Sequence, residues 1–273
     1  MSSTYLRHPY HLIDYSPWPL LGSLAALLVV YGLVSLMEYA PNGFLIFIFG
    51  VISVLQVMYF WWSDVVKEST HLGCHSDRVQ NGLKFGMVLF IVSEIMFFMS
   101  LFWAFFNNNL SPATQIGDSW PPVEIIPVNP ITVPLINTFL LLSSGYSLTW
   151  SHHALISGWK WESIISFIIT LILGITFTLF QVIEYMEGSF DISDNTYGTV
   201  FYMATGFHGF HVLIGTIFLM VCGVRLYNNQ FSSEHHVGFE SAAWYWHFVD
   251  VVWLFVFVSI YAFGSWGSEI SFF

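Results

Sequence analysis

Glu94 lies inside an uninterrupted apolar run, Phe85 to Phe106, ten positions after Lys84 and twelve before Phe106. If that run crosses a membrane, an ionised carboxylate at its middle costs at least ~2.5 kcal/mol. The cheaper states are a protonated acid or one hydrogen-bonded to a neighbouring helix. The chemistry on offer is therefore that of a proton-linked or lipid-facing carboxyl; a neutral structural acid has equal standing. His208 and His211, three apart, share a helix face. Paired imidazoles hold a metal or haem only when further ligands join them, and few are at hand. His247 lies inside a span, His152 and His153 close one, and His235 and His236 fall in a loop. The spacing favours rings hydrogen-bonded across helices over a metal centre. His247 and Asp250 are also three apart and are expected to pair, each lowering the other's desolvation cost.

A second group gathers where two apolar runs give way to polar chain. Trp61, Trp62, Asp64, Lys67, Glu68, His71 and His75, with Arg225, mix indoles, acids and cations. Such a mixture either binds a phospholipid head group or forms an ordinary interfacial belt. There is no nucleophile–base arrangement, phosphate-cradling glycine loop or dinucleotide fingerprint. Asp118 and Glu124 are paired acids only in the sense of sharing a proline-rich loop. Cys74 and Cys222, the only cysteines, cannot build a disulfide framework or a four-thiolate site and read as small unpaired residues.

The elements that must position these residues follow from composition. Of 273 residues, 56% are hydrophobic and 8% charged. A soluble domain carries about a quarter charged residues, so this chain cannot cover a water-soluble globule. Seventeen acids against six bases give a formal net charge of −11, which excludes nucleic-acid binding. A hydrocarbon core of ~30 Å takes ~20 apolar helical residues. Seven runs qualify: Leu20–Met37, Phe44–Trp62, Phe85–Phe106, Ile131–Trp150, Ile164–Ile183, Gly198–Val224 and Trp244–Gly264. The expected fold class is all-α integral membrane with seven transmembrane helices.

With seven spans the termini lie on opposite faces. Arg7, Lys67, Arg78, Lys84, Lys160 and Arg225 then all fall on the N-terminal side, which the positive-inside rule places inside. Trp18, Trp61, Trp62, Trp103, Trp150, Trp159, Trp161, Trp244 and Trp246 sit near span ends, as interfacial girdles do. Gly82 with Gly86, and Gly22 with Ala26, offer small faces for close helix contact or reflect chance spacing. Polar Ser63–Asn81 is expected to extend the second and third helices on the inner side. The proline-rich connection 107–130 forms an ordered outer cap. The organisation divides into residues 1–80, holding the first two helices, and 81–273, a five-helix bundle.

Read as strings, the same residues carry a resemblance. Trp61-Trp62-Ser63-Asp64-Val65-Val66-Lys67-Glu68, then Gly86-Met87-Val88-Leu89-Phe90-Ile91-Val92-Ser93-Glu94, resemble cytochrome c oxidase subunit III. So do Trp120-Pro121-Pro122, Trp150-Ser151-His152-His153, Gly206-Phe207-His208-Gly209-Phe210-His211, Phe239-Glu240 and Trp244-Tyr245-Trp246-His247-Phe248-Val249-Asp250. The likeness covers essentially the whole chain, in order.

The resemblance implies a non-catalytic core subunit of the terminal oxidase that reduces oxygen to water and pumps protons. In this family the first two helices splay from the other five around a V-shaped, lipid-filled cleft. No haem or copper belongs to the subunit, and no metal is expected on it; haem a and copper sit in subunits I and II. Its partners are those subunits, accessory subunits, phospholipids and other respiratory complexes. Glu94 matches the family's carbodiimide-reactive glutamate, and the subunit is thought to sustain proton uptake by the catalytic subunit. Lipid contact is implied for Trp61, Trp62, Glu68, His75, Glu94 and Arg225. His208, His211, Glu240, His247 and Asp250 remain structural polar residues. Ser63 and Cys74 depart from the family, where a base and a second histidine are common.

Quinol-oxidase relatives usually lack the first two helices, so cytochrome c is the favoured donor. A seven-helix receptor, a retinal protein or a proton-coupled transporter fits less well, for want of a last-span lysine or internal repeats. The absence of an import presequence suits a mitochondrial inner-membrane protein with its N-terminus in the matrix, or alternatively a bacterial plasma-membrane protein.

Overall fold

The computed structural model describes residues 8–266; Arg7 and the tail ending Ser271-Phe272-Phe273 lie outside the described residues. Seven helices follow one another: α1 (Trp18–Met37), α2 (Gly43–Thr70), α3 (Asp77–Leu110), α4 (Val133–Ile156), α5 (Lys160–Glu187), α6 (Asn195–Tyr227) and α7 (Val237–Val256). α7 continues as a π-helical stretch, Phe257–Phe263. There is no strand among the described residues.

Each break has a local cause. Pro17 precedes α1, and Pro134 sits in the first turn of α4, where a missing N–H is harmless. The α1–α2 turn contains Asn42 at φ 66°, in the left-handed region asparagine tolerates. As expected, α2 and α3 run past their apolar segments: α3 has 34 residues, about 51 Å of helix. Residues 111–132 form an irregular cap with one short 3₁₀ turn, Thr114–Ile116.

Six of the helices are long and apolar enough to cross a membrane. α4 is long enough at 24 residues but more polar. Its Asn137, Thr138, Ser144, Ser147 and Ser151 are buried inside the bundle, where their hydroxyls and the Asn137 amide N–H find partners instead of lipid. Ser147, for example, bonds Thr170 of α5 at 2.7 Å.

The chain forms two compact units, up to Leu83 and from Lys84 onward. In the first, α1 and α2 cross with their backbones in close approach. A Cβ added at Gly32 would lie 2.4 Å from the Phe47 nitrogen, and one at Gly50 2.7 Å from that of Val29. These glycines, not the Gly22–Ala26 pair, make the crossing. Ala25 is buried there and Ala26 is exposed, and Gly22 makes only ordinary contact. Gly82 and Gly86 face open space, so neither supports close helix contact among the described residues.

In the second unit the core is aromatic. Trp246, expected at an interface, is 1% exposed. Its indole fills the space left by Gly174 on α5 and Gly215 on α6, while its Nε1 donates to Ser144 Oγ at 2.8 Å. A bulky ring with one polar atom goes inside when glycines make room and a hydroxyl accepts its proton. Most of the remaining girdle stays outside: Trp61, Trp62, Trp103, Trp150, Trp159 and Trp161 are exposed, whereas Trp18 and Trp244 are half-buried.

Candidate functional site

Glu94 reaches across from α3 to α6. Its Oε2 lies 2.8 Å from His211 Nε2. The other imidazole nitrogen, Nδ1, is 2.7 Å from the carbonyl of Phe207 and can only donate there. That fixes the proton count at the contact. Either neutral Glu94 donates its O–H to a neutral ring, or an imidazolium donates to a carboxylate. In both states one proton lies between oxygen and nitrogen and the pair has no net charge. The contact meets the need for neutrality that a mid-span acid imposes.

The surroundings hold the pair in place. The Phe98 ring stands edge-on to His211 with centroids 4.9 Å apart, and Phe97, Tyr245 and Phe248 complete the wall. The His211 side chain is 9% exposed and that of Glu94 23%, so the acid, not the base, touches the outside. The sequence named both residues but could not pair them, being 117 positions apart.

His208 shares the helix and none of this chemistry. It is 1% exposed, its Nε2 donates to the Val249 carbonyl at 3.1 Å, and its ring rests near Phe177 and Trp253. The two histidines thus engage different helices and do not converge on a common point.

His247 and Asp250 do not pair as expected. His247 Nε2 lies 3.4 Å from Thr149 Oγ1, and the buried Asp250 Oδ1 has no hydrogen-bond partner among the described residues. Three residues along a helix bring them together, and both side chains turn toward Gly145 of α4, yet no hydrogen bond joins them. Glu184 was missed: it lies one position beyond the apolar run Ile164–Ile183, yet is 5% exposed inside α5. Tyr261 donates to Glu184 Oε1, Gln181 Nε2 donates to the same atom at 3.0 Å, and Asn137 donates to Gln181 at 3.3 Å. Glu184 and Asp250 thus lie deeper in the bundle than Glu94.

Glu240 is held by Lys84 at 2.6 Å. His236 Nδ1 donates to the Ser232 carbonyl, so its Nε2 accepts from His152 Nε2 at 3.1 Å. His152, His236 and Glu240 form one of two groups whose ligand atoms lie within 4.8 Å of one another; His11, Glu68 and His75 form the other. In the former, the lysine and the imidazole–imidazole bond already satisfy the ligand atoms. Neither group includes His208 or His211.

In the first unit, Asp64 accepts from Trp18 Nε1 at 2.7 Å and pairs with Lys67 at 3.2 Å. His11 Nδ1 stands 3.9 Å from Glu68, and its ring 5.9 Å from that of His75. Burial, helped by the charge of His11 and opposed by Glu68, holds the His75 imidazole below its ordinary range. Trp61 and Trp62 are exposed on α2, the helix that carries Glu68. In the second unit, Arg225 lies in the last turn of α6 with its guanidinium 4.3 Å above the Phe231 ring and its Nε donating to Gln230 at 3.3 Å. The buried Cys222 thiol donates to the Gly238 carbonyl at 3.5 Å, and Cys74 is half-buried.

A model of the family described as cytochrome c oxidase subunit III matches residues 8–266. Cytochrome c oxidase subunit 3 of Osphranter robustus is 54% identical over 262 residues, covering 96% of this chain and 100% of the relative. The protein of the same name from Prototheca wickerhamii is 55% identical over 259 residues, covering 95% and 99%. That from Drosophila yakuba is 52% identical over 263 residues, covering 96% and 100%. The match runs from the first described residue to the last, through the helices that carry Glu94, His211 and Asp250, and the chain belongs to the cytochrome c oxidase subunit III family.

Proposed function

We propose that this chain is a core subunit of the oxidase that holds no redox centre, binds phospholipid, and supports proton uptake and stability of the catalytic subunit. As a family member it is a membrane-spanning part of an oxidoreductase complex. Subunits I and II, with accessory subunits, are its partners, and they carry haem a and copper. The three relatives named above come from eukaryotes, which favours the mitochondrial inner membrane over a bacterial plasma membrane. The distribution of bases supports an N-terminus in the matrix.

The Glu94–His211 contact carries this reading. It stores one proton at mid-span in a neutral pair and leaves the acid facing outward at 23% exposure. A lipid-phase reagent or a phospholipid can approach it without meeting a full charge. For head groups, the first unit offers exposed Trp61 and Trp62 with Glu68 and His75 nearby in sequence, and the second offers Arg225. The indoles suit the interface and the cation suits a phosphate.

The test is modification of the assembled oxidase with a hydrophobic carbodiimide, which attacks protonated carboxyls in apolar surroundings. Glu94 is expected to label ahead of Glu184 and Asp250, which are 5% and 7% exposed. Peptide mapping that finds the label on another acid of this chain, or none, refutes the reading. Metal analysis of the purified chain provides the second check: stoichiometric iron or copper on it would overturn the assignment of the redox centres to partners.

A further inference from the structure

Asp250 stands thirteen residues from each end of the membrane-length helix Val237–Phe263, about 20 Å of helix either way. It is 7% exposed, and its buried Oδ1 lacks a hydrogen-bond partner among the described residues. An unsatisfied carboxyl at that depth is costly. Its neighbours show what would satisfy it. On α4, Gly145 supplies the space: a Cβ there would lie 2.4 Å from Asp250 Oδ2 and 3.5 Å from His247 Nδ1. The result is a slot of about 270 Å³ between α4 and α7, walled also by Leu142, Thr149 and Leu254. Tyr146 and Val251, 77% and 51% exposed, stand at its mouth, so it opens on the outside of this unit's helices.

The hydrogen bonds fix the polarity of the slot. The Thr149 hydroxyl proton goes to the Gly145 carbonyl at 3.0 Å. In the 3.4 Å contact between Thr149 and His247 the ring Nε2 must therefore donate, which leaves Nδ1 as a bare acceptor. No hydrogen bond joins Asp250 to His247. The slot thus presents an acid and an imidazole lone pair close together, and no neighbouring side chain donates to Asp250.

We propose that the α4–α7 slot receives a transmembrane helix of another oxidase subunit, which inserts an arginine or lysine side chain between Asp250 and His247. A cation with several N–H groups satisfies both acceptors at once, and arginine's fork does so best. Burying the charge pair in the joint removes it from lipid. A lipid tail would leave Asp250 unsatisfied, and a lipid head group does not reach the middle of the bilayer. The proposal rests on membership of the oxidase complex, not on the phospholipid role.

The experiment is site-specific photo-crosslinking in the assembled oxidase, with benzoylphenylalanine in place of Tyr146 or Val251. We expect a crosslink to a membrane helix of another subunit, the joined peptide carrying an arginine or lysine within one turn of the adduct. Adducts with lipid alone, with a second copy of this chain, or with a peptide lacking such a residue overturn the proposal. A second measurement guards against misfolded variants. Asp250→Asn, which keeps an acceptor of the same shape, should lower retention of the chain in detergent-washed complex about tenfold, equivalent to about 1.4 kcal/mol. Carbodiimide labelling of Glu94 should be unchanged in that variant, showing an intact bundle. Full retention of Asp250→Asn, with labelling intact, refutes the charge contact.

Discussion

Replacing His211 with leucine removes the one group among the described residues that shares Glu94's proton. Losing the partner of a buried polar group costs about 1–3 kcal/mol in soluble proteins, whereas hydrogen bonds inside membranes average only about 0.6 and reach about 1.7 kcal/mol. The contact here is short, 2.8 Å, and one partner carries charge or a transferable proton, which argues for the top of the membrane range. The 23% exposure of the Glu94 side chain argues the other way, since the freed acid can turn outward. The two considerations together give about 1–1.5 kcal/mol for His211→Leu, a shift of about five- to thirteenfold in the unfolding equilibrium. Glu94→Gln should cost less than about 0.5 kcal/mol, because its amide N–H donates to the same Nε2. Glu94→Leu combined with His211→Leu should cost less than the sum of the single changes, by about 1 kcal/mol of coupling. The assay is denaturant unfolding of the full chain in mild detergent, with carbodiimide labelling of Glu94 in parallel. In His211→Leu the acid keeps its proton to itself, so labelling should accelerate. Additive energies in the double variant, or a labelling rate unmoved by loss of the imidazole, would refute a shared proton.

Three further outcomes follow from other contacts. Gly32→Ala places a methyl against the Phe47 backbone and should destabilise the first unit by about 1–3 kcal/mol; an unfolding midpoint equal to that of the unsubstituted chain contradicts the close crossing. Trp246→Phe forfeits the bond to Ser144 and leaves a void beside Gly174 and Gly215, for about 2–3 kcal/mol in the same assay. His75 titrates below its ordinary range in the folded chain, so the unfolded chain binds that proton first on acidification. Its contribution to stability is full above about pH 6.5 and is lost as the pH falls from there through the lower folded value. His75→Gln should flatten that acid limb of the melting-temperature profile, and an equally steep limb in the variant would exclude His75 as its source.

The helices were legible because long apolar runs bounded by Pro17, Pro41-Asn42-Gly43 and Pro134 leave little choice of secondary structure in a membrane. What lies at the helix crossings was not. Sequence spacing offered Gly22 and Ala26 as a small face of α1, with chance spacing as its equal, whereas the contact uses Ala25, Gly32, Gly43 and Gly50. An apolar helix in lipid has no hydrophobic stripe to mark its buried side, because lipid and core are equally oily. For the same reason Trp246 looked interfacial. Glu184 was hidden by a rule of counting: a run that stops at the first charge cannot report that the helix goes on to Glu187 with the charge inside. One signal was available there. Gln181 and Glu184, three apart, both face the bundle, as two polar groups at helical spacing near a tyrosine-bearing helix end would.

The acids of the second unit's interior show three answers to one physical problem. Glu184 is answered within the bundle at Oε1, by Tyr261 and Gln181, while its buried Oε2 has no hydrogen-bond partner among the described residues. Glu94 is answered by a single imidazole and a shared proton, with one edge left to the outside. Asp250 has no answer among the described residues, although Gly145 leaves ample room for one beside it. A fold that needed only its own stability would gain by filling that room, since an alanine or serine at 145 with an apolar residue at 250 removes both the void and the unpartnered acid. Keeping the acid and the glycine together makes sense when the missing donor comes from another helix of the complex. The slot is then a keyed joint, and its unmet acceptors reject any neighbour that brings only hydrocarbon.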